Sequence, residues 1–254
     1  MQRRPPPPTR QPAAPRHGVA RVLSKQGLCS RTEAARWVAA GRVAVNGRVV
    51  LDPEFPVRQG QDRLALDGRP LEVAAPVHVA LNKPRGLVTT ASDEKGRDTI
   101  YRCLENSGLP WLAPVGRLDQ ASEGLLLLSN DPAWAAAITD PATGPDKTYH
   151  VQVDAVPDAA LLAALEAGID DEGERLAAKS AVLLRSGGKT AWLEIVLDEG
   201  RNRQIRRLLA AHGLDTLRLV RVAIGPVALG ELAKGAWRRL TDAEVSGLAP
   251  KGRS

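Results

Sequence analysis

The sequence predicts an α+β fold in two parts: a small basic α/β module, then a larger domain with a mostly antiparallel sheet flanked by helices. Three observations carry this. Strand-like stretches come in pairs joined by glycine turns, at Asn46-Gly47, Asp67-Gly68 and Ser186-Gly-Gly188, and they alternate with helix-like stretches. The charge is divided unevenly: residues 1–17 carry +4, residues 18–75 carry +3 and residues 76–254 carry −1, out of a net +6. The chain has 254 residues, 43% of them apolar, enough to build one large core or two modest ones.

Residues 1–17 are rich in Pro and Arg, with Pro5 to Pro8 consecutive, and have nothing to bury; a disordered or polyproline-like tail is expected. Ser30-Arg-Thr-Glu33 reads as a capping box opening a helix that runs to about Ala40 and stops at Gly41. Val43-Ala-Val45 and Arg48-Val-Val50 flank Asn46-Gly47, a pair suited to a hairpin turn with positive φ at both central residues. A second hairpin is expected at Asp67-Gly68. Ala74-Ala75-Pro76 marks the boundary, so the expected parts are a tail (1–17), a module (18–75), a larger domain (76–248) and a C-terminal tail (249–254). In the larger domain Val77–Leu81, Leu125–Ser129, Thr148–Asp154, Thr190–Leu197 and Leu217–Ala223 read as strands. Pro132–Thr139, Pro157–Ala167 and Asn202–His212 read as helices.

Composition narrows the chemistry. Cys29 and Cys103 cannot form a disulfide framework or a cysteine zinc site, and suit a reducing, cytoplasmic setting. The four His are scattered, so no metal centre is expected. There is no apolar run of membrane-spanning length. Phosphate-loop, dinucleotide-binding and nucleophile-elbow patterns are absent, which weighs against an NTPase, a dinucleotide enzyme and a serine hydrolase. A basic front end on a nearly neutral body suits a polyanion-binding module joined to something else.

Three stretches carry candidate chemistry. Gly116-Arg-Leu-Asp-Gln-Ala-Ser-Glu-Gly124, followed by Leu125 to Leu128, sets Asp119 beside Arg117 on a loop anchored by a buried strand. That is a reasonable reaction centre, although spacing alone equally suits a turn Asp satisfied by backbone amides. Lys147-Thr-Tyr149 opens a strand, and Tyr149 either fills the core or presents a ring. In Glu199-Gly-Arg-Asn-Arg-Gln-Ile-Arg-Arg207, helical spacing puts Arg203, Arg206 and Arg207 on one face and Ile205, Leu208 and Leu209 opposite. Three arginines together repel one another unless an anion or carboxylate is near.

These motifs resemble a known family. Residues 19–73, with Arg21-Val-Leu-Ser-Lys25, Gly27-Leu-Cys-Ser-Arg31 and Gly41-Arg-Val-Ala-Val-Asn-Gly47, resemble an S4-like RNA-binding domain. Its cations Lys25, Arg31 and Arg36 would then neutralise phosphates. Residues 77–240 resemble the RsuA-like pseudouridine synthases of bacterial ribosomal RNA, through Asn82-Lys83-Pro84-Arg85-Gly86, the Gly116–Leu125 motif, Lys147-Thr-Tyr149 and the arginine helix. Ser122 stands where the family more often has Thr, and Asp140-Pro141 where it often has His-Pro.

The resemblance implies Asp119 as the essential carboxylate, Arg206 as its ion-pair partner, Tyr149 as the ring stacked on uracil and Ile205 as an apolar neighbour of the base. Arg203, Arg117 and Lys83 would serve as further RNA contacts or brace the loop. It implies no cofactor and no metal, and a ribosomal RNA stem-loop as partner (large-subunit rather than small-subunit). Apart from the resemblance, no membrane is expected from the lack of a long apolar run, and a monomer is taken as the starting expectation. Two alternatives stand beside it: a non-catalytic ribosome-associated RNA-binding protein that retains the fold, and an RNA methyltransferase with the same front module.

Overall fold

A computed structural model describes residues 16–58, 61–71, 75–90, 93 and 95–248. The chain divides into two compact units, residues 1–74 and 75–254.

In the first unit β1 (Arg16–Gly18) pairs antiparallel with β4 (Pro56–Arg58). Arg16 and His17 are therefore strand residues, not the end of a tail: their backbone groups find partners in β4 despite a composition with little to bury. Residues 1–15 lie outside the described residues, as do 249–254. Helices α1 (Val19–Lys25) and α2 (Arg31–Ala39) pack Val19, Val22, Leu23, Ala34 and Val38 into a core with Val43 and Val57. Ser30 caps α2, its Oγ accepting from the Glu33 amide at 3.1 Å. Only that half of the capping box forms. The Glu33 carboxylate turns to Trp37 Nε1 (2.8 Å) and Arg36 (3.3 Å) instead, one helical turn on.

Beyond α2, β2 (Val43–Val45), β3 (Arg48–Val49), β5 (Leu64–Leu66) and β6 (Arg69–Pro70) form an antiparallel sheet in the order β3-β2-β5-β6. Both of its hairpins turn through a left-handed pair, Asn46-Gly47 (φ 50° and 81°) and Asp67-Gly68 (φ 49° and 77°), the twist that two-residue hairpins require.

The second unit is built on one sheet. Its strands are β7 (His78–Lys83), β8 (Ala113–Val115), β9 (Glu123–Ser129), β10 (Lys147–Val153), the hairpin β11 (Ile169–Asp171) and β12 (Glu174–Leu176) set apart from it, β13 (Ser180–Ser186), β14 (Ala191–Leu197), β15 (Thr216–Ile224), β16 (Val227–Ala228) and β17 (Trp237–Arg239). The main order is β13-β14-β10-β15-β9-β7-β17, with β16 beside β15 and β8 beside β9. Among the described residues every pairing in this sheet is antiparallel except β15 with β9.

Helices α3 (Pro132–Thr139), α4 (Ala159–Ala167), α5 (Gln204–Ala211) and α6 (Asp242–Leu248) flank it. One face packs Leu126, Leu128, Val151, Leu193 and Ile195 with Leu165 of α4 and Leu208 of α5. The other packs Leu125 and Leu127 with Trp134 of α3 and Leu248 of α6. The four consecutive leucines thus form a strand buried on both faces, which explains the continuous run. The arginine helix starts two residues later than its pattern suggests, at Gln204. The β11–β12 hairpin and β17 had no sequence signal, being three-residue strands dominated by charge and too short for alternation to register. Helix α6 did have one that sequence reading missed, the capping box Thr241-Asp-Ala-Glu244, whose two reciprocal bonds both form (2.9 and 3.2 Å).

Candidate active site

The one parallel strand pairing in this sheet, β15 with β9, brings the informative stretches together. The loop Gly116–Ser122 enters β9, whose Gly124 lies opposite Arg221 of β15; Arg221 in turn lies opposite Tyr149 of β10. Gly124 has φ 102°, and a Cβ there would sit 2.3 Å from the Arg221 carbonyl oxygen. Glycine is required for this approach, on both conformational and steric grounds.

The loop is tied down at almost every residue. Thr89 Oγ1 donates to the Leu118 carbonyl at 2.7 Å. Lys83 Nζ donates to the carbonyls of Asp119 (3.1 Å), Ser122 (2.7 Å) and Pro84 (3.1 Å). The Gly86 amide donates to the Gln120 carbonyl at 2.7 Å, and Gln120 Nε2 returns a bond to Gly86 O at 3.0 Å. Arg206 Nη2 reaches the Ala121 carbonyl at 3.4 Å. The loop backbone is held while the Asp119 carboxylate, 35% exposed, stays open to a pocket of about 570 Å³.

Of the residues singled out from sequence, Arg117, Asp119, Tyr149, Arg203 and Ile205 all line this pocket. Arg117 is exposed; Tyr149 and Ile205 are largely buried and share the core beneath it. Lys83, expected to contact RNA or to brace the loop, is 0% exposed with its ammonium engaged by three carbonyls, which leaves the bracing role and corrects the RNA contact. Burial pushes it down to about 8, against the attraction of Asp119, Cys103 and Glu123. The expected partner of Asp119 is corrected as well.

The Asp119 carboxylate has Arg203, not Arg206, within ion-pair distance, at 3.8 Å. Arg206 is drawn into the body of the unit by the carbonyls of Ala121 and Thr216. Its pKa is lowered, first by burial and then by repulsion from Arg203, with Asp119 opposing. Arg207 leaves the presumed cationic face altogether: Asp171 (2.6 Å) and Glu174 (2.7 Å) of the β11–β12 hairpin neutralise it. These are the carboxylates that the cluster of three arginines required.

Arg203 itself is unusual. It precedes α5 in the left-handed region (φ 49°, ψ 30°) with no side-chain cap. Gln204, 2% exposed, stabilises the turn: its Nε2 donates to Ala177 O (3.0 Å) and Glu199 Oε1 (2.8 Å), and its Oε1 accepts from the Arg201 amide (3.1 Å). In the first unit, Arg31 and Arg36 are exposed and paired with Glu54 (2.9 Å) and Glu33 (3.3 Å), and Lys25 is half-buried.

Sequence reading missed Gln204, Lys147 and Arg221, which also line the pocket. Arg221 had no distinct signal: at period two it keeps phase with Leu217 and Leu219, but Arg218 keeps phase with Val220 and Val222 in the same way and is 41% exposed. Among the described residues, no group of three His, Cys, Asp or Glu is placed to hold a metal ion. No helix among them is long and apolar enough to cross a membrane.

Residues 77–211 match the family described as RNA pseudouridylate synthase, and residues 19–63 match the S4 domain. The chain belongs to the RNA pseudouridylate synthase family. The protein is 37% identical over 231 residues to ribosomal large subunit pseudouridine synthase B of Bacillus subtilis, covering 90% of this chain and 93% of that one. It is 40% identical over 238 residues to an uncharacterized RNA pseudouridine synthase of Mycobacterium bovis, covering 90% and 91%. A crystal structure of a pseudouridylate synthase matches with a TM-score of 0.62 at 30% identity, covering 92% of this chain and all of the other. This pseudouridine synthase therefore joins an N-terminal S4 RNA-binding domain to an isomerase domain, as the sequence resemblance implied. The isomerisation breaks the N1–C1′ bond of a uridine, turns the base and rejoins it through C5.

Proposed function

We propose that this synthase converts a flipped-out uridine of ribosomal RNA, in the large subunit, to pseudouridine, with Asp119 as the essential carboxylate. The supporting observation is the pocket that Asp119 shares with Tyr149, Ile205 and Arg203, on a loop whose backbone is pinned by Lys83. A target base inside a helix is out of reach, so the nucleotide leaves the stack and enters the pocket. Asp119 is accessible to its ribose and either attacks C1′ or removes a ribose proton. Arg203 faces the carboxylate at 3.8 Å and offsets its negative charge. Tyr149 offers its ring for stacking on uracil, worth about 1–3 kcal/mol at single-stranded sites, and Ile205 completes the apolar wall. Arg117, exposed at the mouth, meets the backbone phosphate. Lys25, Arg31 and Arg36 of the S4 domain supply sequence-independent attraction to the stem. The reaction needs no external group or oxidant, and the protein works as a monomer.

The large-subunit preference is supported by the 37% identical Bacillus relative. The test is tritium release from [5-³H]uridine-labelled large- and small-subunit RNA, with pseudouridine then mapped by sequencing. Release from large-subunit RNA, lost in Asp119→Asn while RNA binding persists, is the expected result. Retained turnover in that variant would remove Asp119 from the chemistry.

A further inference from the structure

Among the described residues, Arg221 is a buried charge with a donor left unpartnered. It is 6% exposed, yet no carboxylate forms an ion pair with it among the described residues. Its Nε donates to the Leu125 carbonyl at 2.7 Å, while Nη2 is buried with no partner. An uncompensated buried cation is costly, and proteins retain one where a ligand supplies the missing charge. Arg221 lines the same pocket as Asp119 and stands directly across from Tyr149 in the strand register.

Its charge is felt nearby: it contributes to lowering the pKa of both Lys83 and Lys147, whose burial dominates in each case. Lys147 likewise lacks a carboxylate partner among the described residues, its Nζ reaching only the Asp198 carbonyl at 3.4 Å. Of the other arginines lining the pocket, Arg203 pairs with Asp119 and Arg201 with Glu199, both far more exposed than Arg221. One end of the pocket is therefore left with positive charge in excess.

The anion that fits this end is the base itself. A phosphate on a continuous strand stays near the mouth, whereas the extruded uracil enters to the depth of Tyr149. When N1–C1′ breaks, the bonding pair stays on uracil, as a charge spread over N1, O2 and O4. This holds whether Asp119 attacks C1′ or removes a ribose proton. C5 then bonds to C1′ as the Asp119–C1′ bond breaks or as Asp119 returns the ribose proton; C5 loses its proton and N1 gains one, so the anion exists only between the breaking of N1–C1′ and the forming of C5–C1′. From this geometry we propose that Arg221 is a further catalytic residue, which donates to a uracil carbonyl oxygen and stabilises the detached base as an anion. The proposal rests on the assignment of this pocket as the site of isomerisation.

Arg221→Gln is the decisive variant, with Arg221→Lys alongside to retain the charge if Gln lowers stability. Single-turnover rate at saturating protein, RNA affinity, its salt dependence and melting temperature are measured together. Removing one such donor typically lowers turnover about 10²- to 10³-fold. That loss is expected in Gln, with a smaller one in Lys, at an affinity changed less than about threefold. A second substrate separates chemistry from mere support: in RNA carrying 5-fluorouridine, the electron-withdrawing fluorine makes the departing base a more stable anion. Consumption of that nucleoside should differ less between wild type and variant than consumption of uridine. Unchanged turnover overturns the proposal. So does an equal deficit on both substrates, which marks a structural role. Weakened binding with a smaller salt slope and normal saturated turnover marks a phosphate contact and overturns it too. Asp119→Asn run in parallel keeps the two claims apart: if that variant is inactive while Arg221→Gln is normal, only the Arg221 proposal fails.

Discussion

The two helix starts at Ser30 and Arg203 are held in opposite ways. Ser30 satisfies α2 locally, with one hydrogen bond to an amide three residues on and an extended backbone. Arg203 precedes α5 in a left-handed conformation that costs roughly 1–2 kcal/mol for a side-chain-bearing residue. Its turn is held from a distance, by Gln204 reaching Ala177 and by Arg207 reaching Asp171 and Glu174. The loop facing it follows the same rule, with Lys83 and Arg206 holding carbonyls far along the chain. The comparison teaches that the local start serves stability and the remotely held start serves placement of a charged group. Strain is tolerated where surrounding contacts over-determine it.

Breaking the remote support should have the largest effect. Gly124→Ala forces β9 away from β15, against both the 2.3 Å clash and the positive φ. A loss of about 3–5 kcal/mol by denaturant titration, together with loss of activity, is expected. Arg203→Gly sharpens the contrast. Glycine accepts the left-handed turn, so stability should stay within about 1 kcal/mol of wild type. Turnover should fall roughly 10- to 100-fold because Asp119 loses its cation; normal turnover would show that the 3.8 Å pair is incidental.

The pH dependence is a subtler probe of the same support. With Lys83 lowered to about 8, its proton is lost as pH rises through that value, and a neutral amine has only two N–H donors for three carbonyls. Activity should decline above about pH 8. The unfolded chain keeps this proton to about 10.4 and so binds more protons than the folded chain between the two values. Stability from this group therefore rises with pH across that window. A melting temperature that fell in step with activity would contradict the assignment. Ser30→Ala closes the series: a loss of about 1 kcal/mol, with saturated turnover unchanged.

Much of this was legible beforehand because it is local. Asn46-Gly47 and Asp67-Gly68 announce their hairpins through backbone preference alone, Pro132–Thr139 has the bounds its pattern implies, and Leu125–Leu128 reads as a buried strand. The motif residues around Asp119 were legible by resemblance. Partnerships were not. Helical spacing grouped Arg203, Arg206 and Arg207 as equals, yet the fold sends one toward Asp119, one to two carbonyls and one to the acids of a hairpin too short to foresee.

The sequence by itself determined the two-part architecture, the hairpin turns, the buried leucine strand and the family. Only the tertiary structure decided that Lys83 braces the loop, that Arg203 faces the carboxylate and that Arg221 is buried with no counter-charge among the described residues. Turns and periodicity depend on neighbours a few residues apart, whereas an ion's partner and its hydration depend on strands that meet from across the chain, 96 positions apart for Arg221 and Leu125.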